Sequence, residues 1–523
     1  MDKRFKKGLI IGSLVLLVLI IGALVANTVV KNKVKERLNN FSNTIKIKYQ
    51  DINIGTLGGS MELKCPKISI YGKTTHNLNV GIELNELSIN NVSYWDYLFN
   101  DKISIENMTL KEPKVIYYQN DEVTLKSYQN SYKDSFNETI EIETIEITEG
   151  DLEVFNVTNE LLMLKSESIN LKVNDVTLKK TNLEEKLTLT FKDYQLASSN
   201  MFYMLNDYEN LFIEQAIFNT DYYKIENLSI KTKYSKEALS NQISVERDHF
   251  DLTIDSIRVK EHDFGIKSDS IFYFKSDQVD LYRPIFKIYR DKLVADNLSY
   301  KPLYSKSLRN LSFNITLNKI ILNDASIVYT EKVKEETEGG RLEFSKLNAK
   351  IDNLSNIYEE GETKTSAIIE GVFMENTPIH VDWNFDVKDM NDEFVFKADI
   401  GHLAASHMNQ FMEPNLNVRL NGEVNKTYYT INGNDHTSLI DIKLDYDNFD
   451  IVILKQNGKE KNKLLSAVIN LFVSKDSNNK SNEFRHGNAK DVERDKAKSV
   501  FNYLWLNIKA GLLNAMTGDG EEN

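Results

Sequence analysis

Residues 145–154 read IEITEGDLEV, and residues 320–329 read IILNDASIVY. In both stretches, two apolar side chains two positions apart are followed five residues later by a second such pair. The pairs are Ile145 and Ile147 then Leu152 and Val154, and Ile320 and Leu322 then Ile327 and Tyr329. Met108, Leu110, Val115 and Tyr117 repeat the spacing, as do Ile257, Val259, Phe264 and Ile266. Alternation with period two marks a strand with one apolar face. If the intervening residues turn tightly, Ile147 faces Leu152 and Ile145 faces Val154, so all four share one face of a hairpin. Glu149-Gly150 suits such a turn, whereas Pro113 in the first copy asks for a wider loop. The expected unit is therefore an amphipathic hairpin. Successive copies start 37, 112 and 63 residues apart (108 to 145 to 257 to 320), too irregular for a fixed-period solenoid, though stacking of related units is still open to the chain.

Outward from these motifs the alternation continues at Leu311 to Leu317, Phe394 to Ile400, Leu416 to Leu420 and Phe449 to Leu454. Few stretches read as helix. Val92 to Phe99 (VSYWDYLF) suits a short helix between strands, and Lys463 to Val473 (KLLSAVINLFV) suits either a packed helix or a last strand. Near the end, Val500, Phe501, Leu504, Trp505, Ile508, Leu512 and Met516 form an apolar stripe opposite Asn502, Lys509 and Asn514, the pattern of an amphipathic helix. Such a stripe fits a membrane surface as well as it fits packing on the last strands. Polar runs at Glu331 to Gly340 and Lys475 to Asn482 read as solvated loops.

At the other end, residues 8–30 (GLIIGSLVLLVLIIGALVANTVV) carry no charge over 23 positions, enough for a helix to cross the ~30 Å hydrocarbon core. A cleaved signal peptide has a shorter apolar run and a small-x-small site, where this one offers only Leu24-Val25-Ala26. An uncleaved anchor is the expectation. Lys3, Arg4, Lys6 and Lys7 precede the span and favour a cytoplasmic amino terminus, but Lys31, Lys33, Lys35 and Arg37 follow it and weaken that signal. The expected organisation is a tail at 1–7, an anchor at 8–30, a juxtamembrane linker at 31–45 and an elongated strand region at 46–473. A polar linker at 474–490, an amphipathic helix at 491–516 and an acidic tail at 517–523 complete it.

Composition narrows function. The chain has 523 residues but only 6 Pro and 22 Gly, so long regular elements are expected. A formal net charge of −13 gives no basic surface for phosphate backbones and argues against nucleic acid as a partner. The single cysteine, Cys65, excludes an internal disulfide and any multi-cysteine metal site. The eight histidines are scattered, and His402 and His407 lack the spacing of a helical zinc pair. Gly55 to Ser60 is glycine-rich but has no phosphate-loop lysine, so a turn is the expectation. No nucleophile elbow is present. No catalytic residue, cofactor site or metal site is expected.

A long sheet with one apolar face must hide it against a second sheet, under helices, or by curving. Helices are too few here. That leaves a closed sandwich, or a gutter whose apolar inside is shielded by something else. For an anchored chain, lipid acyl chains are one such shield. The sequence leaves both geometries open. In the gutter reading, the lining consists of the sixteen motif residues from Met108 to Tyr329 named above.

Lys46 to Tyr71 (KIKYQDINIGTLGGSMELKCPKISIY) and Leu87 to Tyr118 (LSINNVSYWDYLFNDKISIENMTLKEPKVIYY) resemble the amino-terminal part of the AsmA-like envelope proteins of Gram-negative bacteria. Tyr289 to Asn356, with KPLYSKSLRNLSFNITLNKIILNDASIVYTEK and GGRLEFSKLNAKIDNLSN, is similar to their central region. Ala398 to Val473 and KSVFNYLWLNIKAGL at 498–512 are similar to their closing block. Each motif is degenerate, and their order along the chain carries the likeness. The resemblance implies a bridge-like lipid-transfer type: mainly β, with an amino-terminal transmembrane helix, then a long curved antiparallel-rich sheet forming a hydrophobic groove. It implies an inner-membrane anchor, a periplasmic bulk, and phospholipid acyl chains in the groove on their way between inner and outer membrane. The outer membrane or one of its proteins would be the far partner. No catalytic residue is implied. The alternative is a structural or assembly factor of the envelope that binds a protein partner and carries no lipid.

Overall fold

The computed structural model describes residues 44–55, 59–72, 76–100, 102–119, 139–181, 186–266, 271–358, 363–455, 476–477 and 484–517. The expected span 8–30, the stretch 463–473 and the tail beyond Thr517 lie outside the described residues. Among the described residues no helix is long and apolar enough to cross a membrane. The chain is mainly β and divides into two units, Met1–Leu228 and Ser229–Asn523.

The four motifs lie in long strands and not in hairpins. Met108 and Leu110 belong to Lys102–Lys111, and Val115 and Tyr117 to its continuation Lys114–Gln119. The other three motifs fall wholly inside Thr139–Asn156, Asp248–Ile266 and Asn314–Lys332. In place of the expected turn there is a kink. In every copy the residue four positions after the first apolar one has a left-handed backbone, with φ of 48° at Glu112, 52° at Glu149, 46° at Glu261 and 52° at Asp324. Strict alternation over five residues would put the two apolar pairs on opposite faces. The extra residue of a bulge shifts the phase by one and returns them to the same face. The next residue then points inward, and Pro113, Gly150 and Ala325 are buried there. Proline fits because a bulge can spare a ladder N–H. Cys65-Pro66 and Arg283-Pro284 repeat the device, with φ of 47° at both Cys65 and Arg283.

In the first unit, the kinked strands of the first two motifs lie side by side and parallel. Met108 pairs with Ile145, Leu110 with Ile147, Val115 with Leu152 and Tyr117 with Val154. Their kinks lock together, with Glu112 N–H donating to the Thr148 carbonyl at 2.8 Å and Asp151 N–H to that of Pro113 at 2.7 Å. In the second unit the same pairing recurs between Val279 and Ile320, Leu281 and Leu322, Phe286 and Ile327, and Ile288 and Tyr329. There Arg283 N–H reaches Asn323 at 2.9 Å and Ser326 N–H reaches Pro284 at 2.8 Å. Both units are thus built around one parallel pair of kinked strands. Around it neighbouring strands pair antiparallel, as in Leu162–Thr181 on Thr139–Asn156 and Gly340–Ser355 on Asn314–Lys332.

The apolar sides of the first unit form a closed core that runs from Ile45 and Ile52 through Leu87, Ile89, Ile103 and Met108 to Ile140 and Leu178. The short helix expected near residue 92 is Tyr94–Phe99, capped by Ser93, whose hydroxyl accepts from Asp96 N–H. In the second unit a separate core gathers Phe394, Ile431, Ile440, Ile442 and Tyr446 under the helix Val500–Thr517 and the segment around Leu303. Three further helices, Lys236–Gln242, Tyr304–Arg309 and Asn409–Leu416, were not read from the sequence. Each is at most eight residues long, too short to display an apolar period.

The carboxy-terminal boundaries also differ from expectation. Arg485–Glu493 is a strand paired with Thr437–Ile453, so the strand region extends past 473, and the helix begins at Val500 rather than 491. Nor is the stretch before the helix a free linker. Arg494 and Lys496 pair with Asp435, and Lys498 pairs with Glu246 at 3.2 Å and Asp296 at 2.9 Å.

Candidate functional site

The sixteen motif residues separate into two environments. In the first unit Met108, Leu110, Ile145 and Val154 are buried, and Val115 and Ile147 pack against the closed core; Tyr117 and Leu152 are half-buried. With Met108 at 1% exposure, this is a packed interior and not a lipid-wetted wall. In the second unit Val259 alone is buried; Ile257, Ile320, Leu322, Ile327 and Tyr329 are half-buried, and Phe264 and Ile266 are 43% and 53% exposed.

The cross-strand register shows what joins these residues. Ile257 sits opposite Leu281, Val259 opposite Val279 and Phe264 opposite Phe274. On the other side, Ile320 faces Ile351, Leu322 faces Ala349, Ile327 faces Phe344 and Tyr329 faces Leu342. Phe344 in turn faces Phe373, with ring centres 4.9 Å apart, and Phe250 stacks on Phe286 at 5.6 Å. One continuous apolar face therefore crosses the rows from Asp248–Ile266 to Lys364–Phe373, roughly 20 Å across at the usual strand spacing. Neither of the two buried clusters includes the half-buried members of this face. It is the candidate site.

Phe250, Leu252, Val279, Leu281, Phe286, Ile288, Leu342 and Phe344 were missed by the sequence reading. A signal for them existed. Val279, Leu281, Phe286 and Ile288 follow the motif spacing, with Arg283-Pro284 standing where Glu112-Pro113 stands in the first copy. Leu342, Phe344, Ala349 and Ile351 do the same around Lys346, whose φ is 49°.

At one end this face turns charged within two residues. Phe250 and Leu252 give way to Asp248 and Glu246, Ile288 to Arg290 and Lys292, and Tyr329 to Glu331. Arg290 holds Asp248 through two hydrogen bonds of 2.6 Å. Burial works against the Arg290 charge, but the Asp248 carboxylate outweighs it and holds the guanidinium pKa above its ordinary range. Glu246, whose side chain is fully buried, accepts from Lys292 at 2.5 Å and Lys498 at 3.2 Å. Burial raises its pKa, yet those two hydrogen bonds prevail and leave it below the usual glutamate range. Burial, then the neighbouring Glu331, pushes the Tyr329 hydroxyl pKa up.

A carboxylate whose folded pKa is depressed contributes stability above its unfolded pKa and loses it as pH falls through the folded value. Wild-type protein is therefore expected to lose stability more steeply than Glu246→Gln as pH drops below about 4.3, the ordinary glutamate value. At pH 7, Glu246→Gln should cost about 3 kcal/mol, because Lys292 and Lys498 lose their buried partner. Urea midpoints measured from pH 7 down to pH 3 check both, and parallel pH profiles would refute the assignment.

The terminal helix does not use its apolar stripe as one face. Val500 and Leu504 face the sheet, joined by Tyr503, Asn507, Gly511 and Ala515, while Phe501 and Trp505 are 61% and 40% exposed. Ile508 and Leu512 pack at the core's edge. Small residues set this rotation: a Cβ on Gly487 would lie 2.5 Å from the Gly511 carbonyl oxygen, so the helix axis sits close on the strand. Buried Asn507 accepts from the Ser438 hydroxyl at 2.9 Å. The stripe counted only apolar residues, and the sheet chose small and hydrogen-bonded ones.

Comparison of the sequence with protein-family models and with curated proteins returns no match.

Proposed function

We propose that this chain is a membrane-anchored envelope protein that holds glycerophospholipid acyl chains on the apolar face of its second unit and helps move them between inner and outer membrane. The observation that carries this reading is the half-buried state of that face. A continuous array of Phe, Leu, Ile and Val is left half-buried, although each buried CH₂ is worth about 0.8 kcal/mol to whatever covers it. Acyl chains meet that need without a fixed shape. The uncharged run at 8–30 supports an anchor, with the amino terminus in the cytoplasm and the bulk in the periplasm.

The test is photo-crosslinking in the full chain. A photoreactive residue in place of Leu322 or Phe286 is expected to yield phospholipid adducts, while the same residue in place of exposed Asn318 on the same rows yields none. Absence of lipid at Leu322 and Phe286 would reject the reading in favour of an assembly factor that carries no lipid.

A further inference from the structure

The part of the terminal helix that the sheet leaves uncovered has two unlike flanks. At about 100° per residue, Phe501, Trp505, Ile508 and Leu512 fall within an arc of roughly 60° on one flank, whereas Leu506, Ala510 and Leu513 lie on the other. Contacts fix where the first flank points. The Phe501 ring is centred 6.4 Å from that of Trp383, and the Tyr304 ring is 5.2 Å from the same indole. Ile508 and Leu512 pack against the buried core, as Val381 and Trp383 do, and the other flank lies outside it. Trp383 belongs to Thr377–Asp386, the strand paired with the last row of the candidate face.

The register carries that face to the helix. Leu322 leads by way of Ala349, Ile369, Val381 and Ala398 to Tyr429 and then Ile442, each directly opposite the next. Leu322, Ile369 and Val381 are half-buried, and Ala398 and Tyr429 are buried. Over Ile442 the helix lies so close that a Cβ on Gly511 would stand 3.0 Å from the Ile442 side chain. It also runs along the strand beneath it, since Asn507 meets Ser438 while Ala515 meets Arg485, which pairs with Leu444. Sheet and helix thus form a corner, with Val381 and Trp383 as its floor and the Phe501 flank as its wall.

We propose that this corner seats one acyl chain of a glycerophospholipid, lying along the helix, with Phe501, Trp505, Ile508 and Leu512 as the end wall of the site. This rests on the lipid reading given above and adds to it where the face stops and which residues outside the sheet take part. Continuity with the candidate face favours an acyl chain as the occupant, and so does a wall whose four residues carry no charge. Length agrees. The 18-residue helix is about 27 Å long, and an acyl chain spans about 15 Å, half the hydrocarbon core. Phe501 and Trp505, 61% and 40% exposed in the protein alone, offer ring area that such a chain would cover.

The test is photo-crosslinking in the full chain reconstituted in vesicles of phosphatidylethanolamine and phosphatidylglycerol. A photoreactive residue in place of Trp505 or Phe501 is expected to yield phospholipid adducts, while one in place of Leu513, which is apolar and 62% exposed, yields at least about tenfold fewer. In a chain that carries the photoreactive residue at Ile369, Phe501→Ser with Trp505→Ser should lower adducts about tenfold, the worth of two buried CH₂ groups. The same double variant should leave adducts at Phe286 and the urea midpoint unchanged. Adducts at Leu322 and Phe286 but none at Trp505 and Phe501, or an Ile369 yield untouched by the double variant, overturn the wall and leave the lipid reading standing. Equal labelling at Trp505 and Leu513 means that the helix meets a bilayer surface from outside, and overturns the corner. No adduct at any of these positions overturns the lipid reading, and the corner with it.

Discussion

Met108→Glu is expected to unfold the first unit, while Leu322→Glu leaves the second unit folded. The two positions occupy equivalent places in the motif, and sequence alone gives no reason to treat them differently. Met108 is 1% exposed inside a closed core, where an unpaired carboxylate finds neither water nor a counter-ion. The cost of about 4 kcal/mol or more is a large part of the 5–15 kcal/mol that holds a domain together. Leu322 is half-buried on the open face, so its carboxylate can reach water, and the loss should stay below about 2 kcal/mol. Limited proteolysis with fragment mapping, alongside circular dichroism, distinguishes the outcomes. Equal unfolding by both variants would mean that the second face is as dry as the first, and the lipid reading would fall.

The second large effect concerns the terminal helix. Ending the chain at Ser499 is expected to abolish the cooperative unfolding of the carboxy-terminal core. The helix buries Val500, Tyr503, Leu504, Ala515 and Met516 against Ile440 and Ile442, and at 1.5–3 kcal/mol for each large side chain the loss is on the order of 10 kcal/mol. It also strands polar groups, since Arg485 donates to the Ala515 carbonyl at 2.7 Å from a buried position. In contrast, the double variant Phe501→Ser with Trp505→Ser alters only the outward side and should change the urea midpoint little. A truncated chain that keeps a sharp urea transition would show that the helix is an accessory and not part of the core.

The strands were legible because alternation with period two depends only on which side chains meet water, and that survives in a single sequence. The kinks were not. A left-handed residue is announced by glycine when the site is filled with glycine, but here Glu, Arg, Asp and Lys occupy it at a cost of about 1–2 kcal/mol each. The five-residue interval was visible, and a hairpin explains it as well as a bulge does. Only the register separates the two, by placing Ile147 beside Leu110 and Leu171 rather than opposite Leu152. The candidate face was half legible for a related reason. Motif spacing marks which residues share a face but not whether anything covers it, so Met108 and Leu322 looked alike. The charged rim was hidden because Glu246, Lys292 and Lys498 are distant in sequence and meet only in the folded chain.

The antiparallel rows bear on how the molecule is made. Many of their strands pair with the strand just before them in the chain, as Gly340–Ser355 does with Asn314–Lys332 and Thr377–Asp386 with Lys364–Phe373, so during synthesis they meet an edge already in place, and closing them costs little loop entropy. The parallel joins, and antiparallel ones such as Ile45–Lys48 with Lys67–Tyr71 and Leu78–Glu83 with Lys114–Gln119, reach farther along the chain. Longer closures cost more loop entropy, and an unpaired edge stays open until each is made. The helix emerges after the strands it covers, so they stay bare on their apolar side until Val500–Thr517 has been made. A ribosome that stalls before Val500 would release a chain with Ile440 and Ile442 uncovered, a substrate for chaperones and proteases.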